Sequence, residues 1–75
     1  MNTEAAHNLA CNLERHYQRL RDARGLKWGE FAMELGISRP QLNLLSSGHA
    51  NPKLDTIQRM ADSLGVPPSD LISKP

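Results

Sequence analysis

Between Leu35 and Leu54 the chain carries no carboxylate, yet the same window holds Arg39, His49 and Lys53. Side chains of this kind bind anions, and left uncompensated along one edge of a small fold they predict a surface that attracts a polyanion. The overall balance hides this, because nine Lys and Arg stand against eight Asp and Glu for a formal net charge of +1.

Other residues with chemical potential do not gather into a site. Ser46, Ser47 and His49 could supply a nucleophile and a base, but they are neighbours at one helix end with no orienting acid and no oxyanion-binding loop, so no catalysis is expected. His7, His16 and His49 are scattered, Cys11 is the only cysteine, and no Cys and His spacing suits zinc. We therefore expect no metal, no cofactor, no small-molecule ligand and no intrachain disulfide. His16, beside Arg15, reads as a solvated surface residue, and Cys11 as half-buried and inert.

The elements that must position the basic window are legible in residues 27 to 48. Two short amphipathic segments meet at Leu35-Gly36-Ile37-Ser38, where Gly36 can take the left-handed conformation that ends one helix, Ile37 can anchor the core, and Ser38 can cap the next. This is the grammar of a helix-turn-helix, which presents its second helix outward at an angle suited to a DNA major groove. The segment near Trp28 to Leu35 starts poorly, with Lys27 where a Ser, Thr or Asp cap would be expected and Gly29 costing about 1 kcal/mol relative to Ala. The segment near Arg39 to Ser47 tolerates Pro40 in its first turn and stops at Gly48.

Around this unit, helical periodicity predicts a long first helix from about Thr3 to Arg24, ended at Gly25, and a fourth from Leu54 to Leu64, ended at Gly65. Val66 to Ile72 reads as a connector and one helical turn, with Pro68 near its first position. The expected core is Leu9, Leu13, Tyr17, Leu20, Phe31, Leu35, Ile37, Leu42, Leu45, Leu54, Ile57, Met60 and Leu64. With 75 residues and 4% aromatic content, we expect a single domain over 1–75, its core at about 9–72, with frayed ends that include Ser73-Lys74-Pro75. No apolar run approaches a membrane span and the start lacks signal-peptide character, so a cytoplasmic protein with no membrane partner is expected.

Several of these segments, taken in order, resemble the Cro and phage-repressor type of helix-turn-helix domain: Arg19-Leu20-Arg21-Asp22-Ala23-Arg24-Gly25-Leu26, Phe31-Ala32, Leu35-Gly36-Ile37-Ser38-Arg39, Gly48, Pro52, and Met60-Ala61-Asp62-Ser63-Leu64-Gly65-Val66. The resemblance runs from about Leu13 to Ile72. It implies an all-α, compact five-helix lambda-repressor-like fold, with the helix-turn-helix at helices 2 and 3. It also implies a domain that binds operator DNA, usually as a twofold dimer and usually to regulate transcription.

Carried over by position, the resemblance implies base-reading residues on the outer side of the third helix: Arg39, Pro40, Asn43, Leu44 and Ser47, with Gln41 beside them. Arg39 could donate two parallel hydrogen bonds to guanine O6 and N7, Asn43 could read adenine, and Leu44 or the Pro40 ring could pack on a thymine methyl. Amides at the start of the second helix resemble the family's phosphate clamp, where Trp28 stands in place of the common Gln. Its indole N–H could reach a phosphate, or its ring could pack on a partner or cover the first helix. Lys27, Ser38, His49, Asn51 and Lys53 flank the clamp and fit backbone contacts that set register without reading sequence. Val66, Pro67, Leu71 and Ile72 either cap the core or form a twofold contact as in related repressors, and a dimer contact is the expectation.

One departure stands out, since many members pair an arginine at the position of Arg21 with a glutamate where this chain has Ser46. Arg21 must then turn to Asp22 or Glu14, or stay solvated. The reading that follows is a sequence-specific DNA-binding transcriptional regulator, a repressor that acts as a homodimer by occupying a pseudo-palindromic operator in double-stranded DNA. Low net charge, Trp28, Pro40, Leu44 and Ser46 also fit an alternative, a protein-interaction module on the same fold, such as an antirepressor or antitoxin-like partner.

Overall fold

A stripe of Ala6, Leu9, Ala10 and Leu13, all buried, turns the first helix toward the interior. The structure, a computed structural model, describes residues 3–75. It consists of α1 (Thr3–Arg24), α2 (Trp28–Leu35), α3 (Arg39–Ser46), α4 (Leu54–Leu64) and α5 (Pro68–Ile72), with no strand among the described residues. Helix α1 lies against α3 and α5, α4 lies against α2 and α5, and α2 meets α3. Their inward faces form one cluster that includes Leu9, Leu13, Phe31, Leu35, Leu42, Leu45, Ile57, Met60 and Leu71.

The turn between α2 and α3 forms as its residues require. Gly36 adopts a φ of 76°, its amide donates to Met33 O at 3.0 Å, and the Ile37 amide reaches back to Ala32 O at 3.1 Å. This pair of bonds satisfies the last carbonyls of α2 and drops Ile37 into the core. Ser38 then accepts from the Gln41 amide at 3.2 Å and opens α3. The Arg59 side chain from α4 covers the turn, its Cδ only 3.2 Å from where a Cβ on Gly36 would sit.

The start of α2 is better held than its cap residue suggests. The Glu30 carboxylate accepts from the Lys27 amide at 2.8 Å. Because a lysine side chain has no acceptor, this is half of a capping box, and a carboxylate in the first turn also suits the helix dipole.

The structure corrects several expectations. Leu54 shares the spacing of the inward stripe but is 83% exposed, because it is the first residue of α4 and neither α2 nor α5 covers it. Tyr17, Leu20 and Leu64 border the core and are only partly buried. His16 is not a surface residue: it is 3% exposed, beneath α5 and 3.5 Å from Asp70. Ser73 does not fray, since its amide donates to Ser69 O and its carbonyl accepts from Asn12.

The reason for the last two lies in a polar stripe on α1. Asn8, Asn12 and His16 recur every four residues and are all buried under α5, where the two asparagines donate to the carbonyls of Leu71, Ile72 and Ser73. Leu71 is wholly buried in the core and is therefore unavailable as a dimer contact. Val66 and Ile72 pack partly against that core, and Pro67 is exposed.

Candidate nucleic-acid interface

Helix α3 is divided by its own sequence. Leu42 and Leu45 are buried, which leaves Arg39, Pro40, Gln41, Asn43, Leu44 and Ser47 exposed. With two apolar anchors three residues apart, the helix has one orientation that fills the core, and that orientation turns the remaining residues outward. Lys27, Ser38, His49, Asn51 and Lys53 are exposed as well, whereas Trp28 is half-buried.

Gln41, Leu44, Asn51 and Lys53 come together at an open depression of about 340 Å³ between the outer side of α3 and the loop leading to α4. Lys53 precedes the first residue of α4, and its carbonyl receives the Thr56 and Ile57 amides, so its backbone is held at a helix entrance while its side chain is exposed. Ser47 lies elsewhere, at the edge of a second depression shared with His7, Cys11 and Glu14 on α1. Its hydroxyl donates to Leu44 O at 2.6 Å, so the donor that a base contact would use is already engaged at the helix end. The Ser38 hydroxyl differs, since it only accepts the cap bond from Gln41 and that bond does not use its O–H as a donor.

Trp28 covers the first helix, one of the two roles open to its ring, and its N–H takes a partner that the sequence did not indicate. Its ring stands edge-on to Tyr17 with centroids 4.9 Å apart and is tilted against Phe31 at 6.0 Å. Its indole N–H donates to Asn43 Oδ1 across the two helices at 2.6 Å. The expected phosphate donor is thus engaged with a residue on the outer side of α3. Arg39 also approaches α2, with its Cδ 4.0 Å from where a Cβ on Gly29 would lie.

Arg21, which lacks the family's glutamate partner, keeps local company. It donates to Gln18 Oε1, lies 4.0 Å from Asp22 and sits 5.8 Å over the Tyr17 ring. A separate ion pair joins α1 to α2, where Arg24 donates to Glu34 at 2.9 Å.

Electrostatics add one perturbed group, away from this surface. His16 has its pKa lowered by burial first, then by Arg19 and Arg15, against a smaller opposing pull from Asp70. Arg19 donates to His16 Nδ1 at 3.0 Å, which assigns the ring proton of the neutral form to Nε2. Cys11 is half-buried, with Sγ 3.6 Å from His7 Nε2. Among the described residues no cluster of three His, Cys, Asp or Glu could hold a metal, and no helix is long and apolar enough to cross a membrane.

Sequence reasoning missed three features. Lys27-x-x-Glu30 was a readable half of a capping box, and Asn8, Asn12 and His16 at four-residue spacing were a readable polar stripe. The Trp28 to Asn43 bond had no local signal, since the partners lie 15 positions apart on different helices.

Comparison with known proteins agrees with this geometry. Residues 18–71 match the model of the helix-turn-helix family. The chain is 40% identical over 53 residues to the HTH-type transcriptional regulator DdrOP3 of Deinococcus deserti, an alignment that takes in 71% of this chain and 41% of that protein. The chain thus spans about two fifths of that relative's length. Its structure is similar to that of a hypothetical transcription factor, NHTF, from Neisseria, with a TM-score of 0.77 and 25% identity, covering 100% of this chain and 83% of the other. On the match to the family over most of its length, together with the glycine turn and the outward-facing third helix, the chain belongs to the helix-turn-helix family of the Cro and phage-repressor type.

Proposed function

We propose that this protein is a sequence-specific DNA-binding transcriptional regulator that represses by occupying a pseudo-palindromic operator as a homodimer in the cytoplasm. The observation that carries the reading is the division of α3, with Leu42 and Leu45 held in the core and Arg39, Gln41 and Asn43 outward, in a stretch without carboxylates. Arg39 reads a guanine through two parallel hydrogen bonds, while Lys27, His49, Asn51 and Lys53 set register on phosphates. Twofold contact falls to Val66, Pro67 and Ile72, with half-sites about one helical turn apart. The protein works by binding and not by catalysis.

One observation favours a second reading. Leu44 is 60% exposed at the centre of the outer side of α3, beside the depression it helps to line, and a protein partner would cover it as well as a thymine methyl would. Selection from a random duplex library, followed by titration of the recovered site at several salt concentrations, separates the two. A twofold motif whose affinity falls steeply with salt supports the operator reading. Failure to recover any motif, with no salt-dependent duplex binding, overturns it in favour of a protein-interaction module.

A further inference from the structure

We infer that Trp28 is a positioning residue for base recognition, its indole N–H holding the Asn43 amide so that Nδ2 faces outward as a donor and cytosine is refused at the base it meets. This rests on the DNA reading above.

The orientation follows from chemistry. An indole nitrogen can only donate, so the atom 2.6 Å from it must be the amide oxygen of Asn43 and not the nitrogen. That oxygen is fixed on the side of α2, and Nδ2 makes no hydrogen bond to another described residue on this exposed side of α3. The donor that fixes it is itself fixed. The Trp28 ring packs on both Tyr17 and Phe31, which also touch each other, and Phe31 is wholly buried, so a cluster of aromatic contacts ties the outer amide to the core.

Specificity results because an unrestrained asparagine can turn its amide over and offer either group. A held one cannot. In the major groove, purine N7, guanine O6 and thymine O4 accept, whereas cytosine presents only its N4 donor. With Oδ1 held on the side of α2, the fixed Nδ2 donor favours an acceptor on the strand it faces.

The test uses the selected site from the preceding experiment and Trp28→Phe, which keeps an aromatic ring but removes the N–H. Binding is measured to the site and to versions carrying each base at the position that Asn43→Ala identifies. Loss of about tenfold in discrimination against cytosine at that position alone, with the salt slope unchanged, is expected. Unchanged discrimination overturns the inference, as does a uniform loss across sequences with a shallower salt slope, which would make Trp28 a phosphate ligand. Should Trp28→Phe fail to fold, the protein's single tryptophan supplies a second readout. The indole N–H resonance should be protected from exchange in the unliganded protein and should shift and lose protection in Asn43→Ala, and an unmoved resonance overturns the inference. If the unaltered protein selects no DNA motif, the DNA reading itself falls, a result distinct from either of these.

Discussion

The side-chain amide of Asn12 on α1 donates to the Leu71 carbonyl of α5 at 2.8 Å, a buried bond between residues 59 positions apart. The same Nδ2 donates to Ser73 O at 2.8 Å, and its Oδ1 accepts from Arg15 at 3.1 Å, so every polar atom of the amide is used. The last carbonyls of a helix have no partner within it, and in a helix as short as Pro68–Ile72 they are a large share of its backbone. Asn12 supplies that partner from the core side, and α5 docks where it does because of it.

Asn12→Ala should therefore destabilise the fold more than an average polar substitution. The buried carbonyl of Leu71 and the partly buried one of Ser73 lose their donor at once, a cost of about 2 kcal/mol, and the melting temperature should fall by on the order of 10 °C. A thermal melt checks this, and a fall of less than about 2 °C would show that water replaces the amide without loss.

His16 gives the fold a pH dependence of known sign. Its pKa is lowered in the folded state, by burial before Arg19 and Arg15, from an ordinary value of 6.5. The unfolded chain then binds more protons in the window just below 6.5, so this contribution is whole above that value and is lost as pH falls toward the folded pKa. Urea midpoints of the unaltered protein should decline as the pH falls below 6.5, and His16→Gln should flatten that decline. An identical slope in the variant would assign the dependence to other groups.

Leu42 and Leu54 have the same side chain and opposite surroundings. Leu42→Ala should cost about 2 to 5 kcal/mol by leaving a cavity in the core, whereas Leu54→Ala should change stability by less than about 0.5 kcal/mol. Comparable losses in denaturant titration would mean that α4 docks in a different rotation.

On the outer side, Arg39→Ala and Lys53→Ala should fail differently. The first should relax preference at one base pair of the selected site, by roughly 1 to 3 kcal/mol, and the second should weaken all sequences alike and reduce the salt slope by about one. If neither variant alters duplex binding, the roles given to these residues are wrong.

Much of the architecture could be read along the chain because its causes are local. Gly36 before Ile37, Ser38 before Pro40, and Gly65 after Leu64 each act on backbone within a few positions, and the resulting boundaries agree with the observed helices. The outward set on α3 was readable for the same reason, since two buried leucines three apart leave a defined remainder. Periodicity misjudged Leu54 because spacing tells which side of a helix is apolar and not how far the neighbouring helices extend over it. It misjudged His16 because a search for apolar stripes passes over a polar one.

Local preference and periodicity in the sequence alone determined the helices, the sharp turn between α2 and α3, and which residues of α3 face outward. Tertiary structure decided what those outward residues have available: the Trp28 donor is engaged with Asn43, the Ser47 hydroxyl with Leu44, and Leu71 lies inside the core beneath Asn12. The physical reason is that a hydrogen-bond donor or a buried surface is committed only when helices far apart in sequence cross, and the crossing is set by the whole core at once.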